Sequence, residues 1–426
     1  MKGCHDEFVE ITAAVEASLI EAARDSRPVS GLTHNFYRYP ARFSPTFARA
    51  AIEAFTQPGD MVLDPHVGGG TSLVEALATG RNAVGIDIST LAEFVATVKT
   101  TLFSDGELKR LDAWKKRLPG TIDLREPSIR SAEYAEGGYY RHLDHPSRWR
   151  LRKAIEQAIG GAIRLRSDRL ESFARCAVLR TAQWALDGRR KLTSLPEFRE
   201  MLVENVGEMI TRADELRSMV EQTRQRVDIH VLSRSAAGLE SDARVSSLPA
   251  PRLVLTSPPY PGVHVLYHRW QVDGRKEASA PFWIAKKLDG AGSSYYTMGD
   301  RKYPELATYF ANIKATMSSV AALADERTII VQMIAFSDAS WQLDRYLQTM
   351  EKAGLQEIFM PSLRNERDGR LWRSVPNRRW YSDQRGETPG SNEVVLIHRK
   401  TAKIPTRPGV RRLSATSAAA LDRAAR

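Results

Sequence analysis

Apolar positions recur at helical spacing near the start of the chain. Phe8, Ile11, Val15, Leu19 and Ala22 predict a helix from about Phe8 to Ala23. An aromatic stretch bracketed by prolines, His34–Pro45, reads as a loop. Ser44 is placed to cap a helix with Pro45 at its first position, running to about Phe55. After the turn Gln57-Pro58-Gly59-Asp60, the run Met61-Val62-Leu63 predicts a short buried strand. It leads into Asp64-Pro65-His66-Val67-Gly68-Gly69-Gly70-Thr71-Ser72 and a helix from Leu73 to about Thr79, which Gly80 closes. Asn82-Ala83-Val84-Gly85-Ile86-Asp87 predicts a second strand ending in an acid.

The period then changes. Leu91, Phe94, Val95 and Val98, and later Leu108, Leu111, Trp114 and Leu118, predict helix across 91–118. Pro119-Gly120 and Gly137-Gly138 break the pattern. From Trp149 to Met219 the periodicity is nearly all helical, with interruptions expected near Gly160-Gly161, Gly188 and Pro196. A repeating strand–helix fold has no need of so long a helical block, so it reads as an inserted lobe.

After Val227 strands return. Asp228–Leu232 alternates loosely, Asp242 falls in a loop, and Leu253-Val254-Leu255 predicts a buried strand. Residues 261–303, rich in aromatics and glycine, are too long for an ordinary connection and read as a functional loop or flap. A helix over 304–323, a strong strand Thr328–Ile334 and a helix Ala339–Ala353 follow. Leu355–Pro361 and Glu393–His398 are expected as an antiparallel strand pair flanking a basic stretch, Arg364–Arg385. The tail from Thr401 has few apolar residues and is expected to be disordered.

Composition narrows the class. Hydrophobic content of 42% over 426 residues indicates a globular chain. A net charge of +11 favours an acidic partner, nucleic acid first. Arg148, Arg150, Arg152, Lys153, Arg164, Arg166, Arg169, Arg175, Arg180, Arg189, Arg190 and Lys191 crowd the helical block. They form either ordinary solvated helix faces or a basic saddle for a phosphate backbone, and both can hold at once. The only cysteines, Cys4 and Cys176, offer neither a disulfide framework nor zinc-ligand spacing, which fits a reducing cytoplasm. The first residues are too polar to open a signal peptide, and no apolar run approaches the roughly 20 residues of a membrane helix.

Two stretches carry candidate chemistry. Strand, glycine loop, helix, strand and acid follow one another within 61–87, the layout of a Rossmann-like nucleotide site. The glycines let backbone approach a ligand, and Asp87 can accept from ribose hydroxyls. No Gly-Lys-Ser/Thr is present, and no clean Gly-x-Gly-x-x-Gly, so a nucleoside site is favoured over a phosphate-gripping or dinucleotide one. The bland alternative is a tight turn without a ligand. The second stretch is Thr256-Ser257-Pro258-Pro259-Tyr260, at the end of a strand. Prolines lack an N–H, so carbonyls there can face a ligand. A hydroxyl, a free carbonyl and an aromatic face suit a flat heterocycle bearing an amino group. Taken alone, the segment is equally readable as a plain Pro-Pro loop.

Together these segments resemble the S-adenosylmethionine-dependent DNA amino-methyltransferases, which act on cytosine N4 or adenine N6. Val62–Thr71 is similar to that family's cofactor loop, Asp-Pro-Phe-x-Gly-x-Gly-Thr, with His66 in place of Phe. Gly85-Ile86-Asp87 is similar to its ribose-binding strand end, and Asp242-Ala243-Arg244 to the motif whose acid reaches the adenine amino group. Thr256–Tyr260 resembles the catalytic Ser/Asp-Pro-Pro-Tyr, and His34–Pro45 the aromatic segment that closes over the methionine end of the cofactor. The resemblance covers about 34–100 and 227–400.

The resemblance implies a Rossmann-like class I methyltransferase sheet, α/β with an antiparallel last strand pair, plus a mainly helical inserted domain. Residues 1–100 would hold the cofactor loop, 101–226 a helical target-recognition insert, 227–400 the catalytic part, and 401–426 a basic tail. S-adenosylmethionine would meet Tyr39, Phe43, Asp64, Pro65, His66, Gly68, Gly70, Thr71, Asp87 and Asp242. Ser257 and Pro258 would accept the two N–H bonds of the target amine, with Pro259 shaping the turn and Tyr260 stacking on the base. Neither cysteine lies in a Pro-Cys loop, which argues against cytosine-C5 chemistry. Serine at 257 leans toward cytosine N4. The expected partner is double-stranded DNA, with a cognate restriction endonuclease or defence subunit. Adenine-N6 transfer, an RNA amino-methyltransferase and a catalytically silent nucleic-acid-binding subunit are the alternatives.

Overall fold

The apolar runs become the centre of one sheet. The computed structural model describes residues 11–25, 27, 29–39, 44–128, 130–189, 191–262, 269–272, 276–289, 298–299, 305–363, 368–374 and 392–401. The strands are β1 (Met61–Asp64), β2 (Asn82–Asp87), β3 (Ile229–Ser233), β4 (Leu253–Thr256), β5 (Trp270–Val272), β6 (Lys276–Ala278), β7 (Ile329–Ala335), β8 (Leu355–Ile358), β9 (Leu371–Ser374) and β10 (Asn392–Lys400). The helices are α1 (Ala13–Arg24), α2 (Pro45–Phe55), α3 (Thr71–Ala78), α4 (Thr90–Thr100), α5 (Asp105–Thr121), α6 (Ala132–Glu136), α7 (Trp149–Ile163), α8 (Asp168–Leu186), α9 (Leu195–Thr223), α10 (Ala243–Ser246), α11 (Ala280–Ile284), α12 (Ala307–Leu323) and α13 (Ala339–Lys352).

The sheet order is β3-β2-β1-β4-β7-β10-β8, with β9 also paired to β10. The strands from β3 to β7 are parallel, and β10 runs antiparallel to β7, β8 and β9. This is the expected Rossmann-like sheet, with its antiparallel final strand, β10, inserted between β7 and β8. β1, β4 and β7 are buried along their whole length, as a parallel sheet covered on both faces requires. Because β1 and β4 are adjacent and parallel, Asp64 and Thr256 emerge at the same edge, where strand order reverses. That reversal is where open α/β sheets bind ligands.

Local signals set most boundaries. Thr12 caps α1, which begins at Ala13; Phe8, where the helix was expected to start, lies outside the described residues. Ser44 accepts from Phe47 N and caps α2. Two expected breaks are not breaks. α5 runs through Pro119 and Gly120 to Thr121, because proline in the final turn displaces little of the helix ladder. α7 runs through Gly160-Gly161, because the glycine serves packing. A Cβ on Gly161 would come within 3.0 Å of Trp114 Nε1 on α5.

The helical block is not sealed off at residue 101. Its core joins Leu111, Trp114, Ile155, Phe173 and Leu202 to Phe36, Tyr37 and Tyr39 of the aromatic loop, and to Phe94 and Val95 of α4. Leu216 and Val220 of the long α9 also pack on Val74 and Leu77 of α3, bracing the helix behind the glycine loop. The described part of the expected flap belongs to the same core. β5, β6 and α11 bury Trp270, Phe282 and Trp283 there, and Trp270 Nε1 donates to Tyr37 Oη at 3.1 Å. Core packing, not a free flap, accounts for those aromatics. Several arginines of the block are held by acids: Arg152 by Glu156, Arg169 by Glu107 at 2.8 Å, Arg175 by Glu171 at 2.7 Å and Arg180 by Glu208 at 2.5 Å.

Among the described residues, no helix is long and apolar enough to cross a membrane. Phe43, most of Arg364–Arg385 and the tail beyond Thr401 lie outside the described residues.

Candidate active site

β1 delivers Asp64 into the glycine loop. Asp64 Oδ1 accepts from His66 N at 3.0 Å, and Oδ2 accepts from the Ser72 hydroxyl. Burial pushes Asp64 up to about 6, against the opposing pull of Ser72, His66 N–H and the Thr256 hydroxyl. Gly70 has φ +77°, a left-handed conformation that glycine alone adopts without cost, and a Cβ there would lie 3.0 Å from Ala96 Cα. A Cβ on Gly69 would approach Tyr39 Cβ to 2.9 Å. The loop is therefore pressed between Tyr39 and α4, and Lys99 Nζ donates to Gly69 O at 2.8 Å.

β2 delivers Asp87 beside that loop. Its Oδ2 accepts from Gly68 N at 3.0 Å and its Oδ1 from Ser89 N at 2.9 Å. Burial pushes this carboxyl up to about 6, opposed by those backbone N–H groups. Ile88, next in sequence, stands 51% exposed at the cavity, an apolar surface beside an acid.

β4 ends in Thr256 and hands over to Ser257–Tyr260. Pro259 O accepts from Tyr309 Oη of α12 at 2.8 Å. The Tyr260 hydroxyl donates to Glu393 of β10, whose other oxygen pairs with Arg373 at 3.0 Å. Gly262, at φ +70°, turns the chain so tightly that a Cβ would meet Ser337 Oγ at 2.1 Å. The turn is thus tied to α12, to β10 and to the segment after β7.

One cavity joins the two motifs. Its walls include Tyr39, Asp64, Pro65, His66, Gly68, Thr71, Asp87, Ser257, Pro258, Pro259 and Tyr260, all expected from sequence. Gly70 backs the loop without lining the cavity. Asp242 is not brought in. It caps α10 through Arg244 N at 3.0 Å, and its carboxylate is held well below the usual range by Arg244 and then Arg234. Arg234 lines the cavity instead, with Asp242 orienting it through a 2.5 Å contact. Val67, Gly69, Ser72 and Thr256, which lie within the two quoted motifs, also line the cavity, whereas sequence reading missed Ile88, Ser235, Ala236, Met298 and Thr316. The run Arg234–Ala236 follows the carboxyl end of β3, and that position was the available signal. Met298 and Thr316 carry none, since distant segments bring them in.

His66 occupies the seam. Its Nδ1 lies 3.1 Å from Thr256 Oγ1, and burial pushes its pKa down to about 4, so the ring is neutral at physiological pH.

Residues 21–96 match the family model described as DNA methylase, of the N6/N4 methyltransferase type. The Type II methyltransferase M.MvaI of Kocuria varians is 39% identical over 113 residues, 25% of this chain and 23% of that protein. M.MjaII of Methanocaldococcus jannaschii is 32% identical over 78 residues, 18% of this chain and 15% of that protein. M.BsoBI of Geobacillus stearothermophilus is 35% identical over 86 residues, 20% of this chain and 17% of that protein. The aligned part of the chain thus spans less than a quarter of each relative's length. Among solved structures, an rRNA methyltransferase, AviRa of Streptomyces viridochromogenes, aligns over 88% of this chain and 96% of its own at 11% identity. The TM-score of that superposition is 0.34.

S-adenosylmethionine fits the cavity. Glycines stand where any side chain would collide, a buried carboxylate sits at the end of β2, and an apolar side chain follows it at the rim. The matched segment carries the cofactor loop and its strand-end acid, and over that segment the chain is similar to the DNA amino-methyltransferases.

Proposed function

We propose that the protein is a site-specific DNA methyltransferase acting on the exocyclic amine of a flipped base, cytosine N4 in the first instance. The observation that carries this reading is the single cavity holding the glycine loop, Asp87 and Ser257 together. Asp87 would hold the ribose, the backbone of Gly68–Gly70 and Tyr39 the rest of the cofactor, and Arg234 and Ile88 the adenine end. When bound, S-adenosylmethionine supplies an electrophilic methyl group on a sulfonium sulfur.

The chain supplies orientation. An exocyclic amine is a poor nucleophile because its lone pair is delocalised into the ring. Ser257 Oγ and Pro258 O would accept its two N–H bonds and aim the lone pair. The engagement of Pro259 O by Tyr309 supports Pro258 as the accepting carbonyl. Tyr260, tethered through its hydroxyl, would present its ring to the base. A duplex hides the amine, so the base must leave the stack, at a cost of a few kcal/mol. The helical block would serve target recognition. Arg141, Arg150, Arg164 and Arg166 are exposed there and are the candidates for phosphate contact. A role in restriction-modification or phage defence, with a partner endonuclease, is part of this proposal, and the likeness to Type II methyltransferases supports it.

The test is incubation with labelled cofactor and either mixed-sequence duplex DNA or tRNA, followed by nucleoside analysis. N4-methylcytosine is the expected product. N6-methyladenine would move only the target base. Label in tRNA alone would make it an RNA enzyme, and transfer to no nucleic acid would leave a silent binding subunit.

A further inference from the structure

The helical block reaches the cofactor loop through one stripe of α8. Phe173, Cys176 and Gln183 follow at steps of three and seven residues, so they share a helix face. That face runs along the aromatic segment. Phe173 meets the Phe36 ring edge-on with centroids 5.7 Å apart, and Cys176 Sγ lies 3.7 Å from Phe36 O. Gln183 takes the backbone of Arg38 by both its polar groups. Its Nε2 donates to Arg38 O at 2.9 Å, and Arg38 N donates to its Oε1 at 3.2 Å. A primary amide offers a donor and an acceptor side by side, as a neighbouring strand would. Turned over, it would set donor against donor, so the pairing fixes its orientation. Two bonds to one residue hold position and direction together, where a single bond leaves a pivot.

The residue after Arg38 is Tyr39, which is 5% exposed and lines the cavity. A Cβ on Gly69 would fall 2.9 Å from Tyr39 Cβ, and one on Gly68 would fall 3.2 Å from Tyr39 Cε1. Backbone so close to a ring leaves no slack, so a shift of Tyr39 would reshape the cavity wall. The residue before Arg38, Tyr37, is itself held, since its hydroxyl accepts from Trp270 Nε1 at 3.1 Å. We propose that Gln183 is a positioning residue of the cofactor site: from the helical block it holds the Arg38 backbone and so sets Tyr39 against Gly68 and Gly69. The inference rests on the cofactor reading above. Gln183 is not among the residues that line the cavity, so it acts on the cofactor through Tyr39 alone. In the sequence it sits within Thr181-Ala182-Gln183-Trp184, where a polar residue on a solvated helix face would look the same.

The test is binding of S-adenosylhomocysteine by the full chain, followed by calorimetry. Gln183→Leu removes both bonds and keeps a good helix former. Its affinity is expected to fall by about tenfold, the size of two partly exposed hydrogen bonds. In steady-state transfer to mixed-sequence duplex DNA, the KM for S-adenosylmethionine should rise by the same factor at unchanged kcat, and a fall in kcat at unchanged KM overturns the proposal. Tyr39→Ala should weaken binding by itself, and Gln183→Leu added to it should cost nothing further. Additive losses overturn the route through Tyr39. Thr181→Ala serves as the control for the stability of the block, since it removes a 2.8 Å bond from Asn205 Nδ2 without touching Arg38. It should lower the thermal midpoint at wild-type affinity, and an affinity loss equal to that of Gln183→Leu overturns the specific role of Gln183. Wild-type affinity in Gln183→Leu overturns that role and leaves the cofactor reading standing. Absence of binding by the wild type overturns both.

Discussion

The two ends of the cavity are held by opposite means. At the cofactor end, backbone does the holding. Gly68 N binds Asp87, Gly69 O takes Lys99 Nζ, and glycines at 69 and 70 lie against Tyr39 and Ala96. The parts fall within a short span of sequence. At the end proposed to meet the amine, side chains from remote elements hold the turn Ser257–Tyr260 in place. Tyr309 reaches Pro259 from 50 positions away, and Glu393 reaches Tyr260 from 133. A ligand shared by many enzymes can be met by backbone alone. A reacting amine needs atoms placed to fractions of an ångström, and only a braced turn supplies that.

If the two ends are separable, variants should divide cleanly between them. The largest effect is expected from Ser257→Ala. Single-turnover transfer should fall by at least about a hundredfold while cofactor affinity stays at the wild-type value. A parallel loss of affinity would show that the ends are one unit. Gly70→Val should do the reverse. The residue would carry a Cβ into Ala96 at positive φ, at a cost of about 1–3 kcal/mol in stability, together with loss of cofactor binding by calorimetry.

Asp87→Asn should weaken cofactor binding by roughly tenfold, the size of one charge-assisted hydrogen bond. It should also raise the thermal midpoint of the cofactor-free protein at pH 8. The folded-state pKa is raised from 3.8 to about 6, so Asp87 favours folding in its protonated form, and that contribution is lost as pH rises through 6. The variant's advantage should therefore grow between about pH 4 and pH 6, level off above that, and vanish in acid. A midpoint difference independent of pH would refute the burial argument. The smallest effect is expected from Tyr309→Phe. Losing one hydrogen bond of about 1 kcal/mol should slow transfer several-fold at unchanged cofactor affinity.

The comparison also explains what was legible in the residues. Leu63, Asp64, Gly68, Gly70 and Asp87 could be placed because strand period, glycine punctuation and a strand-end acid are local signals. Asp242 was misplaced because a short acid-containing motif does not say which way its carboxylate turns, and two arginines claim it. Gly160-Gly161 looked like a break because glycine weakens an isolated helix. The partner it makes room for, Trp114, is far along the chain. The aromatics of 261–303 looked like a flap because length and composition suit one. The burial of Trp270, Phe282 and Trp283 against α8 and Tyr37 depends on neighbours invisible from that segment.

The residues alone determined the sheet, its glycine loop and the turn Thr256–Tyr260 at the end of β4. Each depends on side-chain period or backbone freedom over a few consecutive positions. Tertiary structure decided that the carbonyl of Pro259 is taken by Tyr309, that Arg234 and not Asp242 lines the cavity, and that His66 lies against Thr256. Those outcomes depend on hydrogen bonds between groups distant in sequence. Their geometry exists only once β1, β4 and β10 lie side by side or one strand apart in the same sheet.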